Sequence, residues 1–110
     1  ANIEAHGSDP YNPDKTLADK PEWKHAFLER TRCMVETNKN HPCIITWSLG
    51  NETGYGKNFR ETYQWARTRD PYRPVQSEDA GKEGLSDIYC PKYKTIEFIE
   101  DFAVSGDTRP

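Results

Sequence analysis

The chain has 110 residues, a length that usually forms one small domain. Hydrophobic residues account for 34% of the sequence and charged residues for 30%, which indicates a globular protein with a polar surface. The net charge of −3 disfavours a nucleic-acid partner, and no apolar run reaches the roughly 20 residues that span a bilayer.

The first predicted elements are the end of a strand and a long helix. Residues 1–7 indicate the strand end, and the turn-rich run 9–14 connects it to the helix. We expect Asp19 to cap this helix and Pro21 to lie in its first turn, where a missing N–H costs little. The helix is predicted to end near Asn38 or Asn40. Its apolar stripe is predicted to contain Trp23, Phe27, Arg30 and Met34, with Ala26 and Cys33 beside it.

A short apolar strand and a second helix follow. The run Cys43–Leu49 is nearly all apolar and does not alternate with polar residues, which is typical of a parallel strand covered on both faces. The run Asn58–Glu61 has the spacing of a helix capping box. The second helix is then predicted to end near Asp70. Its buried stripe would contain Phe59, Tyr63 and Ala66.

The remaining elements complete an alternating order of strands and helices. Arg73–Ser77 and Ile88–Cys90 are predicted as short strands, separated by a polar loop at Glu78–Gly84. Ile96, Ile99 and Ala103 indicate a third helix, which Gly106 closes. This order predicts an α/β fold with parallel strands, but about four strands are too few for a closed barrel. The three cysteines match no zinc or disulfide framework and are predicted to be buried.

The run Asn40–Glu52 is the most specific motif in the chain. The pattern predicts a buried strand that ends in the polar pair Asn51-Glu52 and is followed by a glycine-containing turn. A carboxylate at the carboxyl end of a buried strand is where α/β enzymes place their chemistry. The alternatives are a solvated Glu52 that caps the next helix and a turn-forming Asn51.

This run resembles the acid/base motif of glycoside hydrolase family 2, and specifically of its β-galactosidases, which has the form NHP-x-hydrophobic-WSLGNE-[ST]-G-x-G. The resemblance implies that Glu52 is the catalytic acid/base. It also implies that Asn51 contacts the sugar 2-hydroxyl beside the scissile bond. Glycoside hydrolysis requires such a proton donor together with a second carboxylate, and an enclosed Glu can hold its proton near neutral pH.

The segment Ala1–Gly7 suggests a metal site. Glu4 and His6 alternate along a strand and can therefore face the same ion, although a pair of this kind is more often two polar loop residues. The segment is similar to the ANIE-x-HG segment of the same family. That resemblance implies a magnesium ion bound by Glu4, His6 and Glu52. Manganese would suit this mixed set of oxygen and nitrogen ligands as well.

Tyr93 is the third candidate. The run Cys90–Tyr93 resembles the CP-x-Y segment of the family, in which the tyrosine hydrogen-bonds the nucleophilic carboxylate and so contributes to substrate binding. The alternative is a half-buried aromatic ring at the end of a strand. The family has a methionine at the position of Lys92, so the surroundings of Tyr93 differ from the family pattern.

Taken over its whole length, the resemblance implies a partial (β/α)8 TIM barrel. Residues 1–110 would be an incomplete catalytic domain, running from the end of the third strand to the sixth helix. The closing run 106–110 leads, in the family, to the strand that carries the nucleophile, so this chain would hold only the acid/base. The implied partners are a β-galactoside such as lactose, the remainder of the barrel, and further copies of the whole enzyme.

Several functional hypotheses follow from these expectations. The parent would be a retaining β-galactosidase of carbohydrate metabolism, and the isolated chain is predicted to be inactive. The alternatives are a segment that acts only as a metal-binding or complementation partner, and another family 2 β-glycosidase such as a glucuronidase or a mannosidase. A carbohydrate-binding module fits less well, because such modules are usually antiparallel sandwiches. No targeting segment is recognisable, so the compartment stays open, with the cytoplasm slightly favoured.

Overall fold

A computed structural model describes residues 3, 4, 12 and 15–110, without the side chain of Glu4. Two parallel strand pairs and three helices form the described part. The strands are β1 (Ile3–Glu4), β2 (Trp47–Ser48), β3 (Gly50–Asn51) and β4 (Val75–Gln76), and the helices are α1 (Lys24–Asn38), α2 (Lys57–Arg69) and α3 (Ile96–Val104). Strand β1 pairs with β3, and β2 pairs with β4. The predicted α/β class with parallel strands is confirmed.

The start of α1 differs from the prediction. Two short 3₁₀ turns, Leu17–Asp19 and Pro21–Trp23, precede the helix. Thr16, not Asp19, caps the first of them, because its hydroxyl accepts from the N–H of Ala18. Asp19 instead accepts from the N–H of Lys57 at 3.0 Å and so binds the start of α2. Local spacing could not indicate this, because the acceptor and donor lie on different elements.

The buried face of α1 also differs from the predicted stripe. Phe27, Thr31 and Val35 are buried, whereas Trp23 is 43% exposed and Arg30 lies on the surface. The three buried residues recur every four positions and line one side of the helix. The ring of Phe27 meets the ring of Phe59 edge-on at 5.1 Å, which joins α1 to α2. The predicted stripe shares only Phe27 with this face and omits both Thr31 and Val35.

Helix α2 ends before Asp70, as predicted, but the expected capping box at its start is wrong. The cap position is Gly56, and Asn58 lies inside the helix. The side-chain amide of Asn58 donates to the carbonyls of Leu17 and Lys20 at 3.0 and 2.8 Å. A Cβ at Gly56 would lie 2.6 Å from the carbonyl oxygen of Ala18, so this close approach requires glycine. The buried residues of α2 are Asn58, Phe59, Thr62 and Ala66.

The strand predicted at Cys43–Leu49 is observed as the shorter β2, Trp47–Ser48. Its pairing with β4 begins at Trp47, whose N–H donates to the carbonyl of Pro74. Trp47 and Leu49 are buried in the core, but Ile45 precedes this ladder and is 77% exposed. The expected strand at Arg73–Ser77 is confirmed as β4.

The predicted strand at Ile88–Cys90 is wrong. These residues carry no strand assignment, and the N–H of Tyr89 donates instead to the carbonyl of Pro110. Burial of the cysteines is also wrong for Cys33 and Cys43, which are exposed, while Cys90 is half-buried and all three are free thiols. Cys33 lies between the buried positions of α1 and therefore points outward.

Helix α3 is confirmed, and Gly106 follows it with a φ of 84°. Its apolar residues Ile96, Ile99 and Val104 are 72%, 56% and 84% exposed. In the part of the chain that the structure describes, no helix is both long and apolar enough to cross a membrane.

Candidate active site

Asn51 and Glu52 lie where β3 ends. In the parallel pair of β1 and β3, Ile3 is opposite Gly50 and Glu4 is opposite Asn51. Glu52 follows immediately with a φ of 51°, a left-handed conformation that is uncommon for a residue with a side chain. Such conformations persist only where the surroundings hold them, and they cluster at functional sites. The structure thus brings the backbones of Glu4, Asn51 and Glu52 to one edge of the sheet.

Two carboxylates from the 3₁₀ turn Glu78–Ala80, which follows β4, hold the loop at Glu52. Glu78 accepts from the N–H of Glu52 at 3.1 Å. Asp79 accepts through one oxygen from the N–H groups of Thr53 and Gly54, at 2.9 and 2.8 Å. Three consecutive backbone donors are therefore satisfied by acids that directly follow β4. The sequence places these acids only in a polar loop, and their position after a predicted strand is the available signal.

Packing beneath the motif explains its glycine and its buried threonine. A Cβ at Gly50 would lie 2.5 Å from the ring of Phe59, so only glycine allows α2 to approach this closely. Thr53 is 1% exposed, and its carbonyl accepts from the hydroxyl of Thr16 at 2.7 Å. The hydroxyl of Tyr55 accepts from the N–H of Leu85 at 2.7 Å. The loop after Glu52 is therefore fixed on both sides.

Lys92 lies against the candidate acid/base. Its ammonium is 2.9 Å from Oε1 of Glu52, 3.1 Å from Oδ1 of Asn51 and 2.9 Å from Oε1 of Glu78. The hydrogen bond with Glu78, followed by that with Glu52, raises the pKa of Lys92 well above its ordinary value. Lys92 therefore stays positively charged, and it draws two carboxylates and one amide to a single point. In the sequence this lysine is marked only by its departure from the family pattern.

Tyr93 lies beside this cluster on the surface. Its side chain is 92% exposed and its φ is 57°. The Lys92 ammonium lies 5.7 Å from the centre of its ring, a cation–π contact. The ring is neither half-buried nor in a strand, so the alternative interpretation is wrong, and the expected contact with a nucleophile stays a prediction.

The magnesium site stays a prediction. His6 and the side chain of Glu4 lie outside the described residues, and among the described ones no group of three or more His, Cys, Asp or Glu could hold a metal ion. The pairing of Glu4 with Asn51 nevertheless brings the backbone of one expected ligand next to that of Glu52. Two of the three expected ligands, Glu4 and Glu52, have carboxylates, which are the oxygen ligands that magnesium prefers, so the chemistry of the donor set fits the ion.

Comparison with known proteins identifies the class of protein to which this site belongs. Residues 1–105 match the family described as Glycosyl hydrolases family 2, TIM barrel domain. The chain therefore belongs to this family.

The relatives are more specific. The chain is 48% identical over 98 residues to the β-galactosidase of Vibrio cholerae serotype O1, which covers 88% of this chain and 9% of that protein. It is also 48% identical over 103 residues to the β-galactosidases of Pectobacterium atrosepticum and Yersinia enterocolitica, covering 93% of this chain and 10% of each relative. The chain thus spans about a tenth of the length of these curated relatives.

Proposed function

We propose that this chain supplies the acid/base segment of a retaining β-galactosidase, which hydrolyses terminal β-D-galactosides such as lactose. The observation that carries the proposal is Glu52, which follows β3 in a left-handed conformation and is held there by Glu78. The similarity to β-galactosidases over most of the chain supports the choice of substrate class. The second carboxylate of the reaction would come from a part of the enzyme beyond these residues.

Glu52 has two tasks in this mechanism. It first protonates the glycosidic oxygen while the nucleophilic carboxylate attacks the anomeric carbon from the opposite face. It then removes a proton from water, which releases the sugar from the covalent intermediate. Retaining enzymes hold these two carboxyl groups roughly 5–5.5 Å apart. The side chain of Glu52 is 40% exposed, which supports access for both the leaving group and water.

Asn51 and Tyr93 complete the proposed sugar site. Asn51 would donate its amide to the 2-hydroxyl of the galactoside, a contact that strengthens in the transition state. Tyr93 would hydrogen-bond the nucleophilic carboxylate, and the high exposure of its hydroxyl-bearing ring supports access to a second segment of the barrel.

Glu4, His6 and Glu52 would hold a magnesium ion in this enzyme, with manganese as an acceptable substitute. When bound, the ion would supply positive charge that stabilises the ionised form of the carboxylates around it. The residues of this chain would orient the ion and keep Glu52 at the edge of the sheet.

The proposed partners of the chain are the remaining strands and helices of the barrel and, for the whole enzyme, further copies of itself. The exposed apolar side chains of α3 support the first of these, because Ile96, Ile99 and Val104 form a face that water solvates poorly. The isolated chain is proposed to be inactive because it would have the acid/base without the nucleophile.

The test is to replace Glu52 in the full-length enzyme and compare two leaving groups. Glu52→Gln should reduce kcat/KM for lactose by about 10²–10⁴-fold, the range that general acid catalysis contributes. The loss should be much smaller for a dinitrophenyl β-galactoside, whose leaving group needs no proton. Glu22→Gln, on the exposed turn before α1, is the matched control and should change neither value.

Two results would contradict the proposal. Equal activity of Glu52→Gln and the wild-type enzyme on lactose would exclude Glu52 as the acid/base. Hydrolysis of β-glucuronides or β-mannosides in preference to β-galactosides would assign the enzyme to another activity within the same family.

A further inference from the structure

The Lys92 ammonium has no remaining N–H for a substrate. An ammonium carries three donors and no acceptor, and three acceptors lie within 3.1 Å of this one: Asn51, Glu52 and Glu78. A group with all its donors engaged and a raised pKa neither transfers a proton nor binds a sugar hydroxyl. Its effect must therefore come through the residues that it holds.

Lys92 contacts the oxygen side of the Asn51 amide. Because an ammonium only donates, the atom that faces it at 3.1 Å is the carbonyl oxygen Oδ1 of Asn51. The amide nitrogen is bonded to the same carbon at about 120° from that oxygen, so it points to the other side of the amide group. A donor directed in this way suits the acceptance of a hydrogen bond by a sugar hydroxyl oxygen.

Lys92 and Glu78 together hold Glu52, one through its side chain and the other through its backbone. Lys92 contacts Oε1 of its side chain at 2.9 Å, while Oε2 of Glu78 accepts from its backbone N–H at 3.1 Å. The other oxygen of Glu78 pairs with Lys92, which closes a ring of contacts. The Glu78 side chain is only 10% exposed and provides the buried anchor of this ring. Because both the carboxylate and the backbone N–H of Glu52 are hydrogen-bonded, the Glu52 side chain can adopt few rotamers.

We propose that Lys92 is a positioning residue of the active site, which directs the Asn51 amide toward the 2-hydroxyl of the galactoside and holds the Glu52 carboxylate beside it. This inference rests on the proposed function, since it requires a galactoside in the site. A methionine at this position, as in the family pattern, offers no N–H and can hold neither group. The asparagine contact to the 2-hydroxyl belongs to the family pattern, and Lys92 adds a hydrogen bond to that asparagine which a methionine does not provide.

The experiment compares a nitrophenyl β-galactoside with its 2-deoxy analogue in the full-length enzyme. The measured quantity is the ratio of kcat/KM for the two substrates, which reports recognition of the 2-hydroxyl and is insensitive to the amount of folded enzyme. Lys92→Met should lower this ratio by about ten-fold or more, as expected for loss of a charge-assisted hydrogen bond. Asn51→Ala should lower it to a similar value, and the double variant should lower it no further.

Two further variants separate positioning from general stability. Lys92→Arg retains N–H donors and should keep more of the ratio than Lys92→Met does. Lys94→Met removes a neighbouring exposed lysine and should leave the ratio unchanged. If Lys92→Met does not fold, as judged by circular dichroism, Glu78→Gln weakens the same ring and should lower the ratio in the same direction.

An unchanged ratio in Lys92→Met, or in Glu78→Gln where that variant replaces it, would overturn the inference while leaving the proposed function intact. A wild-type enzyme that hydrolyses no β-galactoside would overturn the proposed function, and this result appears before any variant is compared. A ratio that falls equally in Lys94→Met would also overturn the inference, because the effect would then not belong to Lys92.

Discussion

The backbone N–H of Glu52 donates to the carboxylate of Glu78 at 3.1 Å, which connects the end of β3 to the end of β4. Asp79 makes the equivalent connection to the next two residues of the same loop. The positions of the candidate acid/base and of the residue after it thus depend on two acids, each 26 residues beyond the backbone N–H that it accepts from. Removing either acid should affect the loop without touching the substrate.

Asp79→Ala should destabilise the enzyme. It leaves the N–H groups of Thr53 and Gly54 without their acceptor in a partly buried place, at a cost of about 1–3 kcal/mol for each unsatisfied group. Asp79→Asn keeps one oxygen and should cost less. Urea unfolding of the full-length enzyme measures both, with Asp101→Ala on the surface of α3 as the control. Equal midpoints for Asp79→Ala and Asp101→Ala would contradict the expectation.

Gly50→Ala should also be destabilising, because the new methyl group would lie 2.5 Å from the Phe59 ring. Overpacking of this kind costs typically about 1–3 kcal/mol. A smaller side chain at residue 59 should relieve the clash, so Gly50→Ala combined with Phe59→Leu should lose less stability than the two single variants together. Additive losses in thermal unfolding would show that the two positions do not interact.

The carboxylate of Asp70 should make stability depend on acid pH. Burial raises the pKa of Asp70, but hydrogen bonds from Arg73 and Trp47 outweigh it, so the pKa lies below its ordinary value of 3.8. A lowered folded-state pKa contributes stability above the unfolded-state value, and this contribution is lost as the pH falls through the folded-state value. Nη1 of Arg73 and Nε1 of Trp47 donate to Oδ2 of Asp70, at 2.7 and 3.0 Å respectively.

Asp70→Asn should therefore lower the free energy of unfolding at pH 7 by about 1.5–3 kcal/mol, the range for a hydrogen bond to a charged group. The difference between wild type and variant should begin to shrink as the pH falls below the ordinary pKa of 3.8. It should vanish only below the lower folded-state pKa of Asp70, where both side chains are uncharged. Denaturant unfolding at several pH values measures this difference. A gap that stays constant from neutral to acid pH would exclude the charge of Asp70 as its cause.

The isolated 110-residue chain should show no galactosidase activity and should self-associate. Its helix α3 exposes Ile96, Ile99 and Val104, and apolar faces of this kind drive association in water. Replacing Ile96 and Ile99 by lysine should reduce the association, as seen by sedimentation velocity. Tyr72→Lys, which removes an exposed aromatic ring far from α3 in sequence, serves as the control. A monomeric wild-type chain would contradict this prediction.

Sequence patterns predicted the elements better than the contacts between them. The three helices and β4 were recognisable because periodicity and turn residues act over a few positions. The placement of Asn51 and Glu52 at the end of a strand followed from the abrupt change from apolar to polar residues. The strand predicted at Ile88–Cys90 failed because β-branched and aromatic residues also occur in half-buried loops, and here the ring of Tyr89 stacks on that of Phe102 in α3.

Long-range contacts account for what the sequence missed. Asp19 was expected to cap the helix that follows it, but it binds α2 across 38 positions. Lys92 approaches Glu52 across 40 positions, and no local pattern marks that approach. The buried face of α1 was misjudged because Thr31 has a methyl group that packs like a small apolar residue. These contacts depend on the folding of the whole chain.

The adjacency of Glu78 and Asp79 limits how this region can change in length. Glu78 and Asp79 lie in the 3₁₀ turn Glu78–Ala80, where successive side chains are rotated by roughly 120°. One residue inserted or deleted between Val75 and Glu78 would therefore turn both acids away from their donors. The backbone donors of Glu52 and Thr53 would then lose their acceptors together. Insertions are better accommodated after Ala80, where Gly81 has open space around it. Natural variants and engineered loops should therefore differ in loop length after Ala80. They should keep the number of residues between β4 and Glu78 unchanged.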